Sequence, residues 1–191
     1  MKKTITFTVL ILSFLVNFQS NAQDDNSVYF DDGSISDIKN QIKLEILNLY
    51  NGELSLAYNR ALFKNLSVEL SLGKQLKFYY SEPLLLNADL TANDTITGGY
   101  NFSIAPRLLY ASTEVRDYYF SYRFKQRVFE LPNNTLKYNE HVLMTGTIIN
   151  FYKHFILDLY SGLGLVNIDN PKYINHSEFT IILGAKIGFI F

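Results

Sequence analysis

The C-terminal stretch Glu178–Phe191 alternates without a break. Phe179, Ile181, Leu183, Ala185, Ile187, Phe189 and Phe191 fall on one face, and Thr180, Ile182, Gly184, Lys186, Gly188 and Ile190 on the other. Successive side chains of an extended chain point to opposite sides, so a period of two predicts a strand with one wholly apolar face. That face matches the roughly 9–11 residues a tilted strand needs to cross a bilayer. The second face sets small residues around a single charge, which suits a crowded polar interior.

The same pattern recurs upstream in seven more segments bounded by turn signals: Ile38–Leu49, Glu53–Leu62, Leu66–Phe78, Gly99–Tyr110, Val115–Phe129, His141–Phe151 and His154–Val166. Leu54, Leu56 and Tyr58 oppose Ser55, Ala57 and Asn59; Tyr118, Phe120, Tyr122 and Phe124 oppose Tyr119, Ser121, Arg123 and Lys125. The segment His141–Phe151 alternates poorly. Asn51-Gly52 predicts a tight hairpin, because both residues readily take the positive φ such turns need. Pro106 lacks a backbone donor and predicts irregular pairing at its position. The connections after the second, fourth and sixth segments are short, whereas Tyr79–Gly98, Glu130–Glu140 and Asn167–Ser177 are long.

These features predict an all-β chain: an eight-stranded antiparallel up-and-down β-barrel that crosses a membrane, with both ends on the short-turn, periplasmic side. The inner face then carries Lys43, Glu45, Glu53, Glu69, Arg107, Arg123, Asp158 and Lys186, four acids and four bases. An eight-stranded interior is only wide enough to be filled by side chains, so these charges are expected to pair with one another. Alternation alone would also fit a soluble sheet. There the second face meets water and is rich in Lys and Glu, whereas here it is mostly Gly, Ser, Ala, Asn and Thr. Aromatics near segment ends, among them Tyr50, Tyr79, Tyr100, Tyr110, Tyr118 and Tyr152, match the girdles found at membrane interfaces.

Residues 1–22 read as a cleaved signal peptide: Lys2 and Lys3, then the apolar run Ile5–Phe18, then Ser20-Asn21-Ala22 before the cut. Residues 23–37 read as an acidic periplasmic leader, since their carboxylate spacing fails the calcium-loop pattern, and residues 38–191 as the barrel. The 191 residues suit one domain, and a net charge of −1 implies no nucleic-acid partner. The absence of cysteine excludes a disulfide framework, a thiolate metal site and a lipoprotein anchor. A mean hydropathy of +0.02 resembles a soluble protein, but a membrane barrel is half polar by construction.

Little in the chain predicts chemistry. His141, His154 and His176 fall on different connections, and Gly162-Leu-Gly164 is followed by no helix that could hold a phosphate. No spaced Ser, His and Asp group stands out, so neither an enzyme nor a cofactor is expected.

The segments Glu53–Arg60, Leu66–Leu72 and Phe155–Gly164 resemble a family of small, mostly uncharacterised bacterial outer-membrane barrels, similar in plan to OmpX, the OmpA membrane domain and OmpW. The resemblance implies location in the outer membrane, as a monomer whose partners are lipid and the barrel-assembly machinery. Phe189 and Phe191 would form the C-terminal aromatic signal that this machinery reads. The expected role is structural, or interaction with an unidentified extracellular partner through the long loops. The alternatives are a narrow OmpW-like channel for small apolar molecules, favoured by the apolar run Leu84–Leu90, and a soluble exported lipocalin-like carrier.

Overall fold

The alternating segments form one antiparallel sheet that closes on itself. The computed structural model describes residues 40–63, 65–76, 97–113, 115–131, 134–152, 154–169 and 176–191. The strands are β1 (Asn40–Glu45), β2 (Glu53–Phe63), β3 (Leu66–Gln75), β4 (Gly98–Ser112), β5 (Arg116–Leu131), β6 (Asn134–Tyr152), β7 (Phe155–Asp169) and β8 (His176–Ile190). Each pairs with its sequence neighbours, and β1 pairs with β8 to close the ring in order. The signal-peptide and leader segments and most of Tyr79–Gly98, including Leu84–Leu90, lie outside the described residues.

Register fixes how far the strands lean. One ladder row runs from Leu44 through Leu56, Leu72, Phe102, Gln126, Asn139 and Asn167 to Ser177. Leu44 is joined on its other side to Ile187, ten residues further along β8 than Ser177. A stagger of this size in eight strands goes with a tilt of about 35–45°.

Several boundaries differ from the sequence expectation. β1 stops at Glu45, and Leu47–Asn51 form a 3-10 turn that ends at Gly52, whose φ of 71° lies in the left-handed region. Asn51-Gly52 is therefore the exit of that turn and not a two-residue hairpin. Pro106 causes no bulge. It keeps register with Val68, the ladder to β5 is interrupted beside it without slipping, and its carbonyl accepts a hydrogen bond from the Ser121 hydroxyl at 2.7 Å. The register shifts occur elsewhere, at Ala61/Phe63, Leu109/Ala111 and Asn150/Tyr152.

The largest correction concerns the long loops. Residues 130–140 are mostly strand: β5 and β6 stay in register up to Leu131 and Asn134, which leaves two residues to turn. β7 and β8 likewise extend to Asp169 and from His176, so both ends of Asn167–Ser177 are strand, and residues 170–175 lie outside the described residues. The sixth strand begins at Asn134 rather than His141. Its weak alternation has a cause. Leu136, Tyr138, Val142, Met144 and Ile148 point inward and are buried, so this strand is apolar on its inner face too.

The interior is packed unevenly. β2, β3 and β4 contribute small or polar groups such as Ser55, Ala57, Ser67, Ser71, Ser103 and Ala105, and the Ser71 and Ser103 hydroxyls meet at 2.6 Å. The opposite wall supplies the bulk, with Tyr119, Val142, Met144, Ile148, Ile156 and Tyr160 in one buried cluster. Two glycines make room for the tyrosine rings: a Cβ on Gly146 would meet Tyr119, and one on Gly184 would run into Tyr160. Gly184 is thus a seat for a ring and not a neutral small residue.

Adding a side chain at Gly184 should therefore cost stability. Gly184→Ser is expected to destabilise by about 1–3 kcal/mol, as overpacking of a filled core does. The same change in a Tyr160→Ala background should cost much less, because the ring it meets is gone. Urea midpoints of the four proteins of this cycle in detergent provide the measurement. Additive effects would show that Gly184 and Tyr160 do not act on each other.

Candidate functional site: the charged lumen

Neighbouring residues of one parity put their side chains inside the ring, and the polar ones meet there. Asp158 of β7 is fully buried at 0% exposure, and Arg107 of β4 is at 1%. Asp158 Oδ2 accepts from Lys43 Nζ at 2.8 Å and from an Arg107 nitrogen at 2.7 Å, and Oδ1 accepts from the Tyr119 hydroxyl at 2.7 Å. Arg107 also lies over the Tyr119 ring, 4.4 Å from its centroid. One carboxylate thus ties together β1, β4, β5 and β7.

Glu69 of β3 is the second hub. It meets Arg107 at 2.6 Å, Lys186 at 2.6 Å and Lys43 at 3.3 Å. Lys186 reaches on to Glu45 at 3.6 Å, and Glu45 accepts from the Tyr160 hydroxyl at 2.7 Å. The cations Lys43, Arg107 and Lys186 and the carboxylates Glu45, Glu69 and Asp158 form this lower tier, three of each sign.

An upper tier lies nearer the end at which β6 follows β5. Glu53 is held by Lys125, by Arg127 Nε at 2.7 Å and by the Ser55 hydroxyl at 2.7 Å. Glu140 of β6 pairs with Arg127 and with Arg123 at 3.4 Å. Arg123 also donates to the Tyr160 hydroxyl at 3.3 Å, which links the two tiers.

All eight charged residues named from the sequence occupy this interior, and each has an opposite charge within 4 Å. Sequence reasoning left three others out. Lys125 was placed on the inner face but not in the pairing set; Arg127 follows it at the same parity; Glu140 fell in a segment read as loop. Continuing the parity of Arg123 along β5 would have found the first two. Above this tier the inner face turns apolar, with Phe129, Leu136, Tyr138, Val166 and Ile168 packed together.

The histidines remain apart. His141 is hydrogen-bonded to Tyr122 at 2.6 Å on the outer face, and His154 meets the Ile190 carbonyl at 3.2 Å and stacks on Phe189. His176 begins β8 at the opposite end of the ring from His154. Among the described residues, no group of three His, Asp or Glu side chains is placed to hold a metal. No family model matches the chain, and a search of the curated proteins finds no match.

The geometry makes the lower tier interdependent. Asp158→Ala leaves Lys43 and Arg107 short of a counter-charge in a site closed to water, a loss expected to be about 3–5 kcal/mol. Asp169→Ala, at the exposed end of β7, should stay within about 0.5 kcal/mol of the parent. Denaturant midpoints in the same detergent compare the two. Equal losses would mean that Asp158 is not a hub.

Proposed function

We propose that the chain is a small integral outer-membrane β-barrel with a side-chain-filled lumen, whose role is structural or lies in contacts made at its extended rim. The observation that carries this reading is the inversion of polarity across the sheet. Outward-facing residues include Leu72 at 71% and Leu143 at 70% exposure, while ten charged residues that pair with one another are buried within. A protein dissolved in water would place these groups the other way round.

The height of the apolar surface agrees with a bilayer. On β8 every outward residue from Phe179 to Phe189 is apolar, a run of eleven positions. At about 3.3 Å per residue and a tilt of about 40°, it covers about 25 Å, the height of the apolar band on such barrels. A polar row bounds it on one side. Gln126 donates to Asn139 at 2.7 Å, and the Ser177 hydroxyl to Asn167 at 2.6 Å, across four adjacent strands. Aromatic rings gather toward the other edge: Tyr110 near Phe120 at 4.8 Å, and Phe155 near Phe189 at 5.6 Å. On this reading residues 1–22 are the export signal, Tyr110 and Phe155 face the periplasmic interface, and the β5–β6 hairpin projects outward from the cell.

The packed lumen argues against the narrow-channel alternative, and the apolar exterior argues against a soluble carrier. The protein should stay with membranes after carbonate extraction and migrate faster in SDS before boiling than after, because a closed ring satisfies its backbone internally. It should pass no steady current in a planar bilayer. Release by carbonate would overturn the membrane reading, and a reproducible conductance would restore the channel.

Phe191 is proposed to act as the assembly signal together with Phe189. Deleting Phe191 should slow membrane insertion in cells and leave refolding in detergent nearly unchanged. Equal slowing in both settings would assign Phe191 to stability instead.

A further inference from the structure

Strands β1 and β8 meet over only part of the height of the wall. β8 has 15 residues, but β1 pairs with it only from Gln41 opposite Ile190 to Glu45 opposite Lys186. One further bond, from Ile46 N to the Ala185 carbonyl at 2.9 Å, ends the seam, and the chain leaves in the turn Leu47–Asn51. Backbone groups alternate sides along a strand. Those of Ala185 and Phe191 turn to β1, whereas Ile190 N turns to the His154 carbonyl. By this parity the N–H and C=O groups of Phe179, Ile181 and Leu183 point past the end of β1. Among the described residues no strand pairs with β8 on that side above Ala185.

In a membrane this edge cannot stand open. The side chains of Phe179, Ile181 and Leu183 are exposed at 65%, 56% and 54%, within the apolar band, and hydrocarbon offers nothing to bond an N–H or a carbonyl. A second copy pairing the same edge antiparallel would stand inverted in the bilayer. Residues 1–39 join the ring at Asn40, at the other end of the seam. Residues 132–133 and 170–175 are taken up in joining β5 to β6 and β7 to β8.

The connection from β3 to β4, residues 77–96, begins and ends where a partner strand needs it. Leu76 N donates to the Gly52 carbonyl at 2.8 Å, so the segment departs beside the turn that stops the seam, two strand spacings or about 10 Å from β8. Thr97 N donates to the Glu130 carbonyl at 2.8 Å on β5, three spacings or about 14 Å from β8. Between these points Leu84–Leu90 alternates like a strand. Leu84, Leu86, Ala88 and Leu90 share one parity, and Leu85, Asn87 and Asp89 the other. The run is as long as the edge from Ser177 to Leu183, about 23 Å. Residues 77–83 and 91–96 can extend over about 23 and 20 Å, enough for both approaches.

We propose that Leu84–Leu90 lies antiparallel along β8 and bonds the backbone of Phe179, Ile181 and Leu183, with Leu84, Leu86, Ala88 and Leu90 turned to lipid. The need for a partner rests on the membrane reading. The apolar run then belongs to the wall and not to a passage for apolar molecules.

The chain contains no cysteine, so introduced pairs report without background. Ile181→Cys is combined in turn with Leu84→Cys, Leu86→Cys and Ala88→Cys, and with Leu85→Cys and Asn87→Cys as controls of opposite parity. Membranes carrying each full-length variant are oxidised, and the boiled, unreduced protein is run on a denaturing gel. At least one of the first three pairs should shift most of the protein to the faster mobility of an internally linked chain, and neither control should. No internal link in any pair, or equal links in both sets, overturns the proposal. A dimer formed by Ile181→Cys alone also overturns it, in favour of a second copy on the edge. Phe179→Cys replaces Ile181→Cys if that variant does not fold. Carbonate extraction of the same membranes tests the other reading separately: release with the internal link intact would refute the membrane location and leave the pairing standing.

Discussion

Burial of charge inside a narrow ring is the constraint from which most of the structure follows. Asp158 could not sit at the centre of the lumen without Lys43, Arg107 and Tyr119 delivered to it from three other strands. Those deliveries hold only if every strand keeps its parity, since a slip of one residue would turn Arg107 outward and Leu108 inward. Pairing of charges across the lumen and pairing of backbones around it therefore select the same register. A buried ion pair is not by itself a source of stability compared with apolar packing. Here its effect is on specificity, because the alternative registers leave charges unpaired on both sides of the sheet.

The small wall and the bulky wall solve a related problem. Lys43, Arg107 and Lys186 are long, and they can cross the lumen only if part of the circumference is kept clear. Ser71, Ser103 and Ala105 keep it clear, while Tyr119 and Tyr160 fill the remaining width and donate their hydroxyls to Asp158 and Glu45. Gly146 and Gly184 let those rings lie flat against the neighbouring strand. Each residue type thus answers to the volume left by the others.

How much could be read from the chain follows from this division of labour. Where one face is apolar and the other small or charged, as in β2, β3, β7 and β8, the period of two is plain in the sequence. The eight inner charges were accessible for that reason. β6 hid its start because Leu136, Tyr138, Val142 and Met144 are as apolar as its outer face, so contrast vanished although the strand continued. The turn formers Pro132-Asn133-Asn134 then suggested a polar loop from Glu130 to Glu140, although β5 and β6 stay paired up to Leu131 and Asn134. The 3-10 turn Leu47–Asn51 overlaps the segment read as Ile38–Leu49, yet Leu47 and Leu49 take the parity of Lys43 and Glu45, so the alternation already breaks where the turn begins. Partner choice within the lumen was not legible at all, because parity gives a side chain its face but not its reach.

The three register shifts share a location that matters for how the chain tolerates change. Ala61/Phe63, Leu109/Ala111 and Asn150/Tyr152 each lie beside one of the short connections, at the same end of the ring. Where the sheet is closed it has no free edge at which an extra residue can be absorbed, so any gain or loss in one strand must be accommodated by both of its neighbours. A bulge confines that mismatch to the last few residues before a turn. Insertions and deletions of single residues will thus be borne at the short-turn end of β2, β4 and β6, whereas the stretch from Lys43 to Glu45 and its counterparts around the ring has no such freedom. Within the described strands, the room to absorb a change of length lies at one rim.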